Sequence, residues 1–180
     1  MGGQVSSCRL IVWVCAGGLV WAPGAAAQSV PEYDVKAAFL LNFTKFVEWP
    51  PEAFAASDSP LEICIVGKDP FARTLDDIVA GETMNGHRLT VRRLTESPAP
   101  HVCQIVFIGG EEKEVSRIVG SLGRGVLTVG EGEGFIKEGG MIAFVIQDRR
   151  VRFDINRSAA EGAALKLSSK LLTVARSVVK

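Results

Sequence analysis

Along residues 33–180 the apolar positions change period repeatedly, from a helical spacing to a strand-like one and back, with only short turns between. That alternation is the strongest constraint on the fold. A chain that switches between helix and strand at such short intervals stacks helices on a sheet whose strands run mostly parallel, because each helix carries the chain back across the sheet. The runs Leu61-Glu62-Ile63-Cys64-Ile65-Val66-Gly67 and Cys103-Gln104-Ile105-Val106-Phe107-Ile108 are apolar and rich in β-branched residues, and the second reads as buried on both faces. The expected architecture is therefore α/β. It is a single domain with a mostly parallel sheet of about five to six strands, helices on both faces and a C-terminal antiparallel hairpin.

The elements can be placed along the chain. From Tyr33 to Glu48, residues Val35, Phe39, Leu40, Leu41, Phe43, Phe46 and Val47 wrap most of a helix and leave a narrow polar strip of Asp34, Asn42, Lys45 and Glu48. Such a helix must be covered on more than one side, and Pro50-Pro51 ends it. After the first apolar run, Asp69-Pro70 supplies an N-cap and a first-turn proline for a helix facing inward with Phe71, Leu75, Ile78 and Val79. Asn85-Gly86 turns the chain into the alternating strand His87–Val91. Val115, Ile118, Val119 and Leu122 form the stripe of a further helix, and Val126–Val129 reads as another strand. Met141–Ile146 and Arg150–Ile155 form a hairpin about Asp148-Arg149. Ser158-x-x-Glu161 has the pattern of a capping box, opening one last helix with the stripe Ala164, Leu167, Leu171, Val174 and Val178.

Composition narrows the class. The chain is 47% hydrophobic and 22% charged, with twenty basic and twenty acidic side chains, which excludes a disordered chain and a basic nucleic-acid binder. At the start, Arg9 precedes the apolar run Leu10–Cys15, and small residues follow up to Ala25-Ala26-Ala27. The run is too short for a membrane span, and Ala25-x-Ala27 offers a cleavage site, so residues 1–27 read as an export signal and residues 28–180 as the mature domain. Cleavage removes Arg9 alone among the charges and leaves the domain one unit acidic. Near-neutrality of this kind argues neither for nucleic acid nor for anionic lipid, and no membrane insertion is expected once the signal is gone. Cys8 and Cys15 leave with the signal. Cys64 and Cys103 enter a compartment where disulfides persist, and strands carrying them can be neighbours in a doubly wound sheet.

Catalytic chemistry is hard to find. His87 and His101 are the only histidines, and neither has a partner at ligand spacing. No zinc-binding H-E-x-x-H, paired C-x-x-C or G-x-S-x-G string is present, so no metal, no cofactor and no catalytic residue is expected. Gly130-Glu131-Gly132-Glu133-Gly134 follows a strand, but its carboxylates would repel a phosphate and no helical pattern opens directly after it; it reads as a plain mobile loop. The basic set Arg149, Arg150, Arg152 and Arg157 is a better anion candidate, although Asp148 and Asp154 interleave it. Arg150, Arg152 and Arg157 would serve a small-ligand binding protein taking an anion or nucleotide; the plainer reading is a solvated hairpin with a charge-protected edge. Phe39, Phe43, Phe46 and Trp49 exceed what one inner helix face can hide, which suggests either an interface or a helix covered on two sides.

Two long strings then carry a resemblance. Tyr33-x-Val35-Lys36-Ala37-Ala38-Phe39-Leu40-x-Asn42-Phe43-x-x-Phe46-Val47-x-Trp49-Pro50 resembles the opening helix of the YfiR-like family. Gly139-Gly140-Met141-Ile142-x-Phe144, Val151-x-Phe153-x-Ile155-Asn156, Ala159-Ala160 and Leu165-x-Leu167-Ser168-Ser169-Lys170-Leu171-Leu172 resemble that family's C-terminal signature in order and spacing. The resemblance implies a small periplasmic α/β protein, often a homodimer, that regulates rather than catalyses. It would repress a membrane-anchored diguanylate cyclase by binding the periplasmic sensor region, lowering cyclic-di-GMP and biofilm formation. Cys64 and Cys103 match a pair that the family holds as a disulfide; several members carry a second pair near the hairpin, and here no cysteine follows Cys103. On this reading the partner-facing residues are Phe144, Ile155 and Leu165, with Phe43, Phe46 and Trp49 left for packing or self-association.

Overall fold

The computed structural model describes residues 31–110 and 112–180, together with Gly2. The export signal read over residues 1–27 thus lies outside the described residues. In chain order the elements are α1 Glu32–Phe46, β1 Val47–Glu48, a 3-10 turn at Pro51–Ala53, β2 Leu61–Gly67, α2 Thr74–Val79, β3 Thr83–Met84 and β4 His87–Leu94. Then come β5 Ile105–Gly109, α3 Glu112–Ser121, β6 Leu127–Glu131, α4 Gly134–Lys137, β7 Ile142–Gln147, β8 Arg150–Asn156, α5 Arg157–Gly162, β9 Lys166–Leu167, α6 Ser169–Val174 and β10 Ser177–Val179. The main sheet has eight strands in the order β10-β8-β7-β6-β5-β2-β4-β3, and β1 pairs with β9 in a separate two-stranded sheet. The five strands β4-β2-β5-β6-β7 are parallel to one another, while β3 and β8 each run antiparallel to their inner neighbour. The expected class and hairpin stand. The strand number is larger than expected because β3 and β10, only two and three residues long, carry no alternation of their own.

Both faces are covered, and the handedness of crossovers explains by what. From β2 the chain moves to β4 on one side through α2; from β5 it moves the other way through α3 and α4 to β6 and β7. Right-handed connections going in opposite directions place their helices on opposite faces. Accordingly Ile63, Ile65, Ile105, Phe107 and Val129 pack beneath α1 and α2, whereas Cys64, Val66, Val106 and Ile108 pack beneath α3 and α4. Within the first layer, Phe43 of α1 stacks with Phe144 of β7 at 5.9 Å and meets Phe153 of β8 edge-on at 5.4 Å. In the second layer Cys64 and Cys103 are joined as a disulfide, with Cα atoms 5.9 Å apart. The bond ties the end of the β4–β5 connection, a parallel crossover with no helix among the described residues, to the middle of β2.

Several local expectations are corrected. α1 stops at Phe46, two residues short, because Val47 and Glu48 pair with Leu167 and Lys166. Asp69 does not cap a helix: its Oδ1 accepts from the Phe71 N–H at 2.8 Å, Ala72 takes a positive φ, and α2 begins only at Thr74. The long final helix is absent. Asn156, not Ser158, is the N-cap of α5, its Oδ1 accepting from the Ala159 N–H at 3.0 Å, and α5 ends at Gly162. Ala164 turns left-handed, Ser168 caps the separate α6 through the Leu171 N–H, and Val174 and Val178 are exposed. The apolar spacing there is helical, but Asn156 and Ser168 divide it with caps and the β1–β9 ladder draws the middle into a strand.

The glycine-rich segment is corrected too. β6 runs into it as far as Glu131, and α4 opens directly at Gly134. The reason is Phe135, buried between Gly130 and Gly140: a Cβ on either would lie 2.3 or 2.1 Å from its ring. Only hydrogen fits at both places. Gly140→Ala should therefore lower the free energy of unfolding by about 1–3 kcal/mol through overpacking, while Gly120→Ala, with open space around it in α3, should raise it by about 0.5–1 kcal/mol. Denaturant titration of the two variants checks both signs. In the same assay Cys64→Ser should cost about 4 kcal/mol, the chain-entropy value for a bridge spanning 39 residues.

Candidate functional site

Open α/β sheets bind ligands at the carboxyl ends of their strands, where the strand order reverses. Here that point lies between β2 and β5. The two strands end in register at Gly67 and Gly109, and the Lys68 N–H donates to the Gly109 carbonyl at 2.7 Å. A Cβ on Gly67 would lie 2.3 Å from the Gly109 oxygen, and one on Gly109 would lie 2.1 Å from the Lys68 oxygen. Backbone packed against backbone fills the crevice that a ligand would use.

Next to it, the end of β6 is occupied by an ion cluster. Lys36 of α1 has a side chain only 4% exposed, donates to Glu131 of β6 and to Glu32 one turn back, and places its ammonium 4.5 Å from the centre of the Tyr33 ring. Burial alone would pull the Lys36 pKa down, but the hydrogen bonds to Glu131 and Glu32 outweigh it and hold the ammonium above its ordinary value. Glu133 is claimed in turn by Arg176, which also forks onto Asp154, the Nε–Oδ1 distance being 2.8 Å. The hydrogen bonds it donates to Asp154 and Glu133 hold that guanidinium above the usual arginine range. The carboxylates of the glycine-rich segment thus pin α1 and the start of β10 to the sheet.

The open feature of this face is apolar. α1 and α6 lie side by side over β8, and between them runs a groove of about 650 Å³ lined by Phe39, Phe43, Phe46, Phe153, Leu171 and Val174. Phe43, Phe153 and Leu171 form its buried floor, Phe39 and Phe46 are half-buried walls, and Val174 is 60% exposed at the rim. Asn42, Ser169, Lys170 and Thr173 supply polar edges. An apolar floor with a polar rim is the anatomy of a protein-binding patch.

The sequence-derived candidates divide unevenly. Phe144, Ile155 and Leu165 are not on the surface: each is 1% exposed or less, in the core beneath α1 and α5. They offer a partner nothing to touch, so a partner-facing role for them is corrected to a packing one. Of the set left for packing or self-association, Phe43 is core, Phe46 opens onto the groove, and Trp49 is half-buried with its Nε1–H donating to the Gln104 carbonyl at 3.1 Å. Arg150 and Arg152 are exposed on β8, whereas Arg157 pairs with Glu161 at 2.7 Å, so the three do not converge on one anion. His87 stacks on Phe54 at 4.0 Å and its Nδ1 donates to the Ser59 carbonyl at 2.6 Å. Among the described residues no group of three or more His, Cys, Asp or Glu side chains is placed to hold a metal ion.

Two features escaped the sequence reading. Lys36 had a signal: on a 3.6-residue helix it falls roughly opposite the strip of Asp34, Asn42 and Lys45, and a lysine on the apolar face needs a buried counter-charge. The groove had half of one, the aromatic surplus of α1, but its other wall is α6, whose position depends on the β1–β9 ladder. Lys36→Met should lower stability by about 1.5–3 kcal/mol at neutral pH, the range for hydrogen bonds to a charged group. A raised folded pKa means that this contribution is complete below the ordinary lysine value of 10.5 and is lost as pH rises through the folded value. Denaturant unfolding at neutral and strongly alkaline pH should show the gap between wild type and variant narrowing.

The family model described as YfiR/HmsC-like matches residues 33–176. No curated protein matches the chain. Among solved structures, a conserved domain protein from Vibrio cholerae is similar with a TM-score of 0.49 at 10% identity; the match covers 81% of this chain and 60% of that one. The match to the family model extends from the start of α1 to the arginine that anchors β10, and the chain belongs to the YfiR/HmsC-like family.

Proposed function

We propose that this protein is a non-catalytic periplasmic regulator, which binds the periplasmic sensor region of a membrane-anchored diguanylate cyclase and represses it. The observation that carries the reading is the groove between α1 and α6. The two strings that carry the family resemblance lie at opposite ends of the sequence, yet Phe39, Phe43 and Phe46 from the first and Phe153 and Leu171 from the second line this one groove. No helix among the described residues is long and apolar enough to cross a membrane.

Repression by contact needs no chemistry. A protein that binds the inactive conformation of the cyclase more tightly than the active one shifts the population toward the inactive state by the ratio of the two affinities. The groove supplies apolar area that a complementary segment of the sensor region can bury, with Phe46 and Val174 as the accessible contacts.

The test is intracellular cyclic-di-GMP in a strain lacking the protein, compared with the same strain given back the wild type, Phe46→Asp or Val174→Asp. Deletion should raise cyclic-di-GMP, the wild type should restore it, and the variants should fail while keeping the wild-type circular dichroism. At Phe46, on the groove wall, a charge should cost about 2 kcal/mol or more, roughly thirtyfold in affinity, and at the rim residue Val174 less. Full repression by both variants would overturn the assignment to the groove. Were Phe46→Asp instead to change only the oligomeric state, the groove would be a self-association face, as a homodimer requires. A small-anion binder would show none of these changes and would gain thermal stability with a nucleotide.

A further inference from the structure

The balanced charge of the chain conceals an uneven distribution. In the sequence Asp154 interrupts the basic set of the hairpin, but in the fold it is buried and committed to Arg176, and Arg157 is committed to Glu161. Arg149, Arg150 and Arg152 are exposed, and among the described residues no carboxylate lies within ion-pair distance of them. Asp148 is the only acidic residue between Ile146 and Arg152. The tip of the β7–β8 hairpin is therefore a locally basic surface on a near-neutral domain.

Two further features distinguish it from an edge protected by charge. Arg150 and Arg152 share one face of the hairpin, where their charges add, while Ile146 and Val151 take the other. Arg149 sits at the second turn position with φ +58°, in the left-handed region that glycine or asparagine occupies at lower cost. A long cation held at the apex against local preference is the kind of inconsistency that marks a functional position.

We propose that this tip rests on an anionic phospholipid surface, with Arg149, Arg150 and Arg152 on lipid phosphates. The tip is a two-residue turn with no walls around its cations, so it offers no enclosure for a small anion and no fixed geometry for one carboxylate. A fluid anionic surface adapts to it. Each cation close to such a surface contributes roughly fivefold in partitioning, and Asp148 offsets one of the three, so the contact is weak and reversible. It would hold the domain beside a membrane-anchored partner without inserting it, and it stands or falls independently of the regulatory reading above.

Sedimentation of the purified protein with phosphatidylcholine vesicles, with and without phosphatidylglycerol, tests the proposal. Wild type should sediment with the phosphatidylglycerol vesicles only and be released by high salt. The variant Arg149→Asn, Arg150→Gln, Arg152→Gln should lose about tenfold or more in partitioning, with a thermal midpoint no lower than that of the wild type. Equal sedimentation with neutral vesicles, or unchanged partitioning of the arginine variant, would overturn the proposal. So would binding to soluble polyglutamate with none to vesicles, which would point to an acidic protein instead.

Discussion

The parallel ladder between β2 and β5 buries both faces of both strands, and the rest of the chain is arranged to cover them. Ile63 and Ile65 look toward α1 and α2, Cys64 and Val66 toward α3, and the burial of all four is essentially complete. Because parallel strands cannot be joined by a tight turn, each crossover must leave the sheet and return, and its hand decides which face its helix covers. The β4–β5 crossover is the exception. It has no helix among the described residues, and the disulfide from Cys103 to Cys64 takes over the task of fixing the connection where β5 enters the sheet.

The same ladder governs where function can reside. Gly67 and Gly109 bring the ends of β2 and β5 into backbone contact, and the carboxylates at the end of β6 are used to anchor α1 and β10. The end of the sheet that serves ligands in many related topologies is thus spent on internal cohesion. What is left open is the outer side of α1, where its aromatic surplus meets α6, and the basic hairpin tip that projects beyond the core. Both are surfaces rather than enclosures.

Much of the fold was legible. Apolar runs without alternation marked β2 and β5, Asn85-Gly86 marked the β3–β4 turn, and Asp148-Arg149 marked the β7–β8 hairpin. The site was less so. Phe144, Ile155 and Leu165 lie in recognisable strings, but a string does not say whether a residue points into the core, and all three do. The expected C-terminal helix failed for a related reason. Its apolar spacing fits a helix from Ala164 to Val178, yet Asn156 and Ser168 offer caps that divide it, and Leu167 finds a partner in Val47, more than a hundred residues away.

The amino-acid sequence by itself determined what is local: the periods that select helix or strand, the turns that reverse the chain, and the cysteine pair. Tertiary structure alone decided which side chains of α1 are core and which are groove, that Asp154 serves Arg176 rather than neutralising the hairpin, and that the glycine-rich segment closes over Phe135. The physical reason is range. Backbone preference and hydrogen-bonded turns act over a few residues, so they are written in neighbouring letters. Burial and charge pairing depend on which distant segments come together, and that is settled only when both faces of the sheet are covered.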